Sequence, residues 1–433
     1  MITTWRSSHA AFRDGAVEPA WLATLRRDAL ACFEKVGFPA PRDEAWRYTS
    51  LQVFKVTPFV HQDVGANAEL DALVAAQRLP SAVAEIVIVN GRIDAARSRY
   101  PTDPGLTVRP LSAAVASDDT LPQAFGRLAP WRDVAFIALN TAFVQDGVVV
   151  QVAKGADIAG PVHVILVSSG GAQPIVANPR LIVQADAGSR ASVIVSVLGV
   201  AGATSLTNLV EELQVGPNAE LHHHVLALQP ANANLMLNSS VRVERDGRYH
   251  ALAAWLGEGL VRHEPRVVLA EPGASAHLDG LYVLDGSAHA DNRVVVEHVA
   301  PRCISRQTYK GVMSGRSKGV FDGTVIVHRD AQHTDASQDS RNVLLSDDAE
   351  ANAKPRLEIY ADDVKCAHGT TVGRLDPEQL NYLRTRGIGL ADARRVLTAA
   401  FVAEVVERLR DEPARDRLRR HVDARLNKVM EAR

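Results

Sequence analysis

The stretch QADAGSRASVIV, residues 184–195, ends one apolar run and opens the next across a short turn containing Asp186, Gly188 and Ser189. Read alone it is a strand, a turn and a strand. The same grammar recurs in VAKGADIAG, QVGPNAELHHHV, ERDGRYHALAAW, LAEPGASAHLDG, HVAPRCIS, HRDAQHTDAS and YADDVKCAHG. With Gly155, Gly188, Gly216, Gly247, Gly273, Pro301, Ala331 and Asp362 as markers, the intervals are 33, 28, 31, 26, 28, 30 and 31 residues. A β-sandwich gives turn signals roughly every 8 to 12 residues and carries no longer beat. A period near 30 built from strands instead marks a solenoid, in which each coil covers the apolar face of the next. The expected core is a parallel β-helix of about eight irregular coils.

The β-rich composition extends outward from that stretch. Between about residues 146 and 366, runs such as VVVQVA, PVHVILV, RLIVQA, ASVIVSVLGV and GTVIVHR alternate with Gly, Asp, Asn and Pro. No long helical stripe separates them, which excludes alternating βαβ units. The flanks read differently. WLATLRRDALACFEKVGF, from residue 21, spaces Leu22, Leu25, Leu30 and Phe33 for one helix face and stops at Gly37 ahead of Pro39 and Pro41. RDEAWRYTSL and EIVIVNGRID continue a mixed N-terminal unit, in which Cys32 is expected in the core. After Gly373, DPEQLNYLRTRG offers Asp376 as N-cap, Pro377 at the first helical position and Gly387 as the stop. A helix over 391–410 follows, with Leu397, Phe401, Val405 and Leu409 four apart beside Ala393 and Ala400, and a charged helix closes the chain. The expected organisation is a mixed, partly helical region over 1–130, a β-helix over 131–373, and a helical region over 374–433 that caps the carboxyl end of the β stack.

A chain of 433 residues is large enough to fold without staples, and 46% apolar with 23% charged residues and a formal net charge of −2 describes no polycation built for nucleic acid. Three cysteines, Cys32, Cys303 and Cys366, lie far apart without CxxC spacing, which argues against a disulfide framework and fits a reducing cytoplasm. MITTWRSSHAAFRDG has no apolar core of signal-peptide length. The most apolar region, VAFIALNTAFVQDGVVVQV, is interrupted by Asn140, Gln145 and Asp146, so no membrane span is expected.

The chain contains no GxSxG, GxxxxGK[ST] or GxGxxG element in a catalytic context. Two features remain for chemistry. On a strand, Cys366 and His368 of ADDVKCAHGTTVG project to one face, as two metal-ligand side chains or as a buried thiol beside a hydrogen-bonded imidazole. In the run 222–224, His222 and His224 likewise share a face, but no second ligand cluster stands near them in sequence.

SQDSRNVLLSDDAEANAKPRLEIYADDVKCAHGTTVG resembles the SufB/SufD family of SUF iron–sulfur cluster assembly subunits, on the SufD side. The resemblance continues through LDPEQLNYLRTRGI and AFVAEVVERL, with weaker echoes in FIALNTAFVQDG and RDEAWRYTSL. It implies a right-handed parallel β-helix between helical ends, and a non-catalytic cytoplasmic scaffold in complex with SufB and the ATPase SufC. It also implies a transient iron–sulfur cluster at the interface with SufB, with His368 as a ligand from this side and Cys366 matching the family cysteine. A thiolate and an imidazole from one chain cannot complete a four-ligand site, so the partner must supply the rest. Isolated chains would be able to pair with themselves at the same face. The RTRGIG turn, with Arg384, Arg386, Gly387 and Ile388, is expected to be an exposed, basic, apolar-tipped knob for docking SufC.

Two other readings use the same fold. A structural module without metal ligands would leave Cys366 and His368 as packing residues. A polysaccharide lyase or hydrolase would need paired carboxylates, for which Asp335, Asp339, Asp347 and Asp348 are the candidates, but 5% aromatic residues leave little for sugar stacking.

Overall fold

The computed structural model describes residues 9, 12, 18–40, 42–61, 68–118, 120–171 and 173–431. The expected solenoid is present, in about eight turns. Each coil lays one strand in a first sheet, turns, lays one in a second sheet, and turns back. The first sheet advances through Arg190–Gly199, Glu220–Ala227, Arg248–Trp255, Ser275–Leu284, Ile304–Met313, Thr334–Leu344 and Val364–Gly373. The second advances through Ser205–Val215, Ala233–Val243, Leu260–Leu269, His289–His298, Lys318–Val327 and Glu350–Ile359. All these neighbours pair in parallel. Ahead of residue 131, Ala84–Val89 already pairs in parallel with Val162–Ser168, and Leu106–Pro110 pairs antiparallel with Gly147–Val152.

The register gives the coil its true length. Asp157, Arg190, Glu220, Arg248, Ser275, Ile304, Asp335 and Lys365 stack in one column, at intervals of 33, 30, 28, 27, 29, 31 and 30 residues. Two residues before each of the first seven stands a residue with positive φ: Gly155, Gly188, Asn218, Asp246, Gly273, Arg302 and His333. One left-handed residue per coil turns the chain back into the first sheet, which is why Gly, Asn and Asp recur there. The uneven sequence markers mixed different positions of this one corner.

Inside the coils the pleat directs alternate side chains inward, and Leu221, Val225, Tyr249, Ala276, Tyr282, Tyr309 and Phe321 belong to one continuous core with the facing strands. The outer faces of both sheets are also covered. The expected helix is Ala20–Val36, stopped at Gly37 with φ 69°. It packs with Phe54 and the wholly buried helix Ala135–Phe143 against Val176, Leu206, Val210 and Met236 of the second sheet. That apolar helix is the segment excluded above as a membrane span, and among the described residues no helix is long and apolar enough to cross a membrane. Cys32 is half-buried, at the edge of this cluster, and donates to the Arg132 carbonyl.

The carboxyl-terminal helices correct one expectation. Pro377–Thr385 starts as read, with the Asp376 side chain accepting from the Glu378 N–H at 2.8 Å. The following helices, Leu390–Val406 and Glu412–Glu431, do not cap the end of the stack. Val402, Val405, Val406, Leu409, Leu418, Val422 and Leu426 run back along the outer face of the first sheet, against Leu226, Leu252, Leu281, Val283 and Val312. The apolar stripe is satisfied by the flank because that flank offers a long apolar column, whereas the last coil offers only the width of two strands. The end of the solenoid is left open.

Candidate functional site

Cys366 and His368 lie on Val364–Gly373, the last strand of the first sheet, in register with Ala336 and Gln338. Their columns continue inward through Ala276 and Leu278 of the core, so both side chains belong to the inner face of the terminal coil. Cys366 is half-buried against Val325, Val327, Ala331, Ala336 and Ala361. His368 is exposed, above Gln338, which donates to Gln307 at 3.2 Å. Burial pushes the Cys366 thiol above its ordinary value of 9.0, against a backbone hydrogen bond at Ala336 that works the other way. Such a thiol stays protonated at neutral pH until a metal takes the place of the proton.

Among the described residues, only one side of Val364–Gly373 and of Glu350–Ile359 is paired. Two ten-residue strand edges therefore end the stack side by side. Long unpaired edges are templates for another chain, and single domains ordinarily blunt them. The donor set at this end, one thiol and one imidazole two positions apart, fits part of a cluster site and is incomplete by itself.

The turn after Pro377–Thr385 closes in a Schellman motif, with Gly387 at φ 87° and the Ile388 N–H donating to the Leu383 carbonyl at 3.2 Å. Arg384, Arg386 and Gly387 are exposed, while Ile388 is half-buried. The Arg386 guanidinium stands 5.2 Å from the centre of the Tyr382 ring. Exposed apolar side chains nearby in sequence, which the sequence reading passed over, are Tyr382, Leu390 and Val396. Of the carboxylates considered for glycan chemistry, Asp335 pairs with Arg306 at 2.6 Å and Asp339 with Arg341 at 2.8 Å, both on the first sheet.

A second cluster arises on the outer face of the first sheet. His222 and His224 share that face as expected, while His223 points inward to the Tyr249 hydroxyl at 2.9 Å. The register stacks His250 on His222, with ring centroids 4.7 Å apart and planes 8° from parallel, and His277 on His250 at 5.1 Å. Glu220 Oε1 accepts from His222 Nε2 at 2.8 Å and lies 3.9 Å from His250 Nε2. Burial works against the Glu220 charge, but the bonds from His222 and Arg248 and the nearby Arg410 hold its pKa at about 2. The cluster opens into a cavity of about 540 Å³ between the sheet and the link that joins the last two helices. Asp279 lines the same cavity, and burial pushes it up to about 6 despite the adjoining Arg408. The sequence signal was present in the 28 and 27 residues that separate His222, His250 and His277, one coil each.

Comparison with known proteins agrees with this architecture. The family model described as SufBD protein N-terminal region matches residues 2–164, and that described as SUF system FeS cluster assembly, SufBD core domain, matches residues 166–401. The iron–sulfur cluster assembly protein SufD of Escherichia coli is 30% identical over 397 residues, covering 90% of each chain. A SufBD family protein of Synechocystis is 28% identical, over 94% of this chain and 92% of its own. SufD of Bacillus subtilis is 26% identical over 94% of both chains. With a family core model spanning more than half its length around an open-ended parallel solenoid, this chain belongs to the SufBD family of iron–sulfur cluster assembly proteins and is a homologue of SufD.

Proposed function

We propose that the chain is the SufD-like scaffold subunit of a cytoplasmic assembly complex, without catalytic chemistry of its own. Its open solenoid end pairs with SufB, and Cys366 and His368 contribute ligands to a nascent cluster held between the two chains. The observation that carries this reading is the coincidence of two soft-ligand side chains with two unpaired strand edges on one terminal coil. A closed solenoid end would have no need of a partner there, and a lone packing thiol would have no reason to stand beside an exposed imidazole. An imidazole in place of a thiolate also makes the ligand set less negative and more labile, which suits a scaffold that gives its cluster away. The Arg384 to Ile388 turn, with Tyr382, Leu390 and Val396 beside it in sequence, is proposed as the docking surface for SufC. Regions 1–130, 131–373 and 374–433 would then divide the work into flank covering, cluster interface and ATPase docking.

The test is reconstitution of the chain with SufB and SufC, with iron and acid-labile sulfide measured per complex. His368→Ala is expected to lower both markedly, and Cys366→Ala to lower them to a degree that reports its share. Full iron and sulfide in the double variant, with the complex intact, would leave a structural module in place of a ligand donor.

A further inference from the structure

We propose that Glu220, His222 and His250 form a binding site for a single divalent transition-metal ion, separate from the open end of the solenoid. Their ligand atoms lie within 4.8 Å of one another. Bonds of about 2.0 to 2.2 Å to a tetrahedrally disposed ion place ligand atoms roughly 3.3 Å apart. The two separations here, 2.8 Å from Glu220 Oε1 to His222 Nε2 and 3.9 Å to His250 Nε2, bracket that value. Seating the ion takes small side-chain rotations, departure of Arg410 from Oε1, and the neutral His222 tautomer with its proton on Nδ1, which frees Nε2 to ligate.

A cation of the chain itself already engages the triad. Arg410 Nη1 donates to the same Glu220 Oε1 at 2.6 Å, while Arg248 takes Oε2 at 3.1 Å. The Arg410 side chain is 65% exposed and sits in the short link between the last two helices, so it is free to swing away. Without an ion, three arginines neutralise the buried carboxylate: Arg248 and, at 3.6 Å, Arg190 at Oε2, and Arg410 alone at Oε1. With one, the ion replaces it at the same oxygen.

Around the triad, His224 lines the same cavity and has a buried Nδ1 without a hydrogen-bond partner, and His277 stacks on His250 from the next coil. Two imidazoles, one carboxylate and open positions toward a cavity make the donor set of a two-histidine, one-carboxylate site, which suits ferrous iron and also accepts zinc or cobalt. From His250 to the position of Ala367 the column crosses four strand spacings, about 19 Å, on the sheet face opposite to Cys366 and His368. The inference does not rest on the cluster reading.

The experiment uses the full-length chain stripped with chelator and titrated with Co(II) without oxygen, read by visible ligand-field absorption and by equilibrium dialysis. One equivalent is expected. His222→Ala and His250→Ala should each weaken binding by more than about 100-fold, beyond the 10- to 100-fold typical of losing an outer-shell partner. Arg410→Ala, an exposed change that leaves the fold intact, should tighten binding by about 10-fold or more, because it removes the competing cation. Cys366→Ala with His368→Ala should leave this equivalent unchanged. Unaltered Co(II) binding in both single histidine variants would overturn the assignment, as would weaker binding in Arg410→Ala or loss of the equivalent in the Cys366/His368 double variant.

Discussion

Gly280 and Gly311 carry no side chain because Tyr309 and Tyr282 occupy the space: a Cβ on Gly280 would fall on the Tyr309 ring, and one on Gly311 on the Tyr282 ring. Small and large residues thus interlock between successive coils. Gly280→Ala should cost about 1 to 3 kcal/mol through overpacking, read as a lowered urea midpoint with an unchanged slope. Arg180 is the other residue on which much depends. Fully buried, it donates to Glu212 at 2.9 and 2.7 Å and to Asn140 and Thr141 at 3.0 Å, with its guanidinium 4.3 Å from the Phe125 ring centre. Glu212 in turn accepts the N–H groups of Gly126, Leu128 and Ala129, so the pair pins the N-terminal region to the second sheet. Arg180→Met leaves that carboxylate buried without its cation and should destabilise the fold by about 3 to 5 kcal/mol in the same assay.

At the level of elements, the corner that returns each coil to the first sheet depends on one left-handed residue. Asn218 fills it at φ 56° and is exposed, so its replacement changes conformation without emptying a core. Asn218→Val should cost about 1 to 2 kcal/mol, since a β-branched side chain crowds that region, and Asn218→Gly should cost little or nothing. Equal stability of the two variants would mean that the corner tolerates another backbone. The helix Leu390–Val406 teaches a related lesson. Its expected stripe, Leu397, Phe401, Val405 and Leu409, is spaced strictly by four and drifts about 40° per step around a helix of 3.6 residues per turn. The helix ends at Val406, short of the expected 410; its buried set mixes steps of four and three, with Thr398, Val402 and Val405 inward and Leu409 buried just past its end, and leaves Leu397 and Phe401 half-buried. Because these helices cover the first sheet, deleting residues 376–433 would bare Leu226, Leu252, Leu281 and Val312, and the truncated chain should aggregate. The SufC docking proposal is therefore better tested with Arg384→Ala and Arg386→Ala, which are expected to weaken co-purification while leaving circular dichroism unchanged. Normal SufC binding by the double variant would remove this turn from the interface.

For the whole molecule, the many buried histidines set the response to pH. Burial pushes His163 down to about 4, His263 to about 3 and His298 to about 4, from an ordinary 6.5. Between those limits the unfolded chain binds protons that the folded chain refuses, so stability falls as pH drops from about 6.5 toward 4. Glu85 and Glu220 act lower. Burial opposes their charge, but the His163 imidazole 3.6 Å from Glu85 with hydrogen bonds from the Leu79 N–H and Arg78, and at Glu220 the bonds from His222 and Arg248, hold both at about 2. Their contribution is present above about 4.5 and is lost as pH falls through 2. Thermal unfolding should therefore show a Tm that declines from about pH 6.5 to pH 4 and goes on declining below 4.5 as the two carboxylates protonate. A flat Tm between pH 6.5 and 5 would contradict neutral burial of these imidazoles.

What the sequence by itself determined is local: the runs of β-branched residues, the turn chemistry at each corner, the beat near 30, and the caps at Asp376 and Gly37. Each follows from the sterics and hydrogen bonds of a few consecutive residues, and these act the same way wherever the segment ends up. The placement of Cys366 and His368 on one face was equally legible, because side-chain alternation on a strand is local. What only the tertiary structure decided is which surfaces meet. An apolar helix face carries no address, so the choice between the flank and the end of the solenoid was made by the area available on each, and it left the terminal coil open. The triad of Glu220, His222 and His250 depends on the register between coils, which a turn one residue longer or shorter would shift to the opposite face of the sheet. Register is set by the summed fit of the whole core, and no single stretch of the chain contains it.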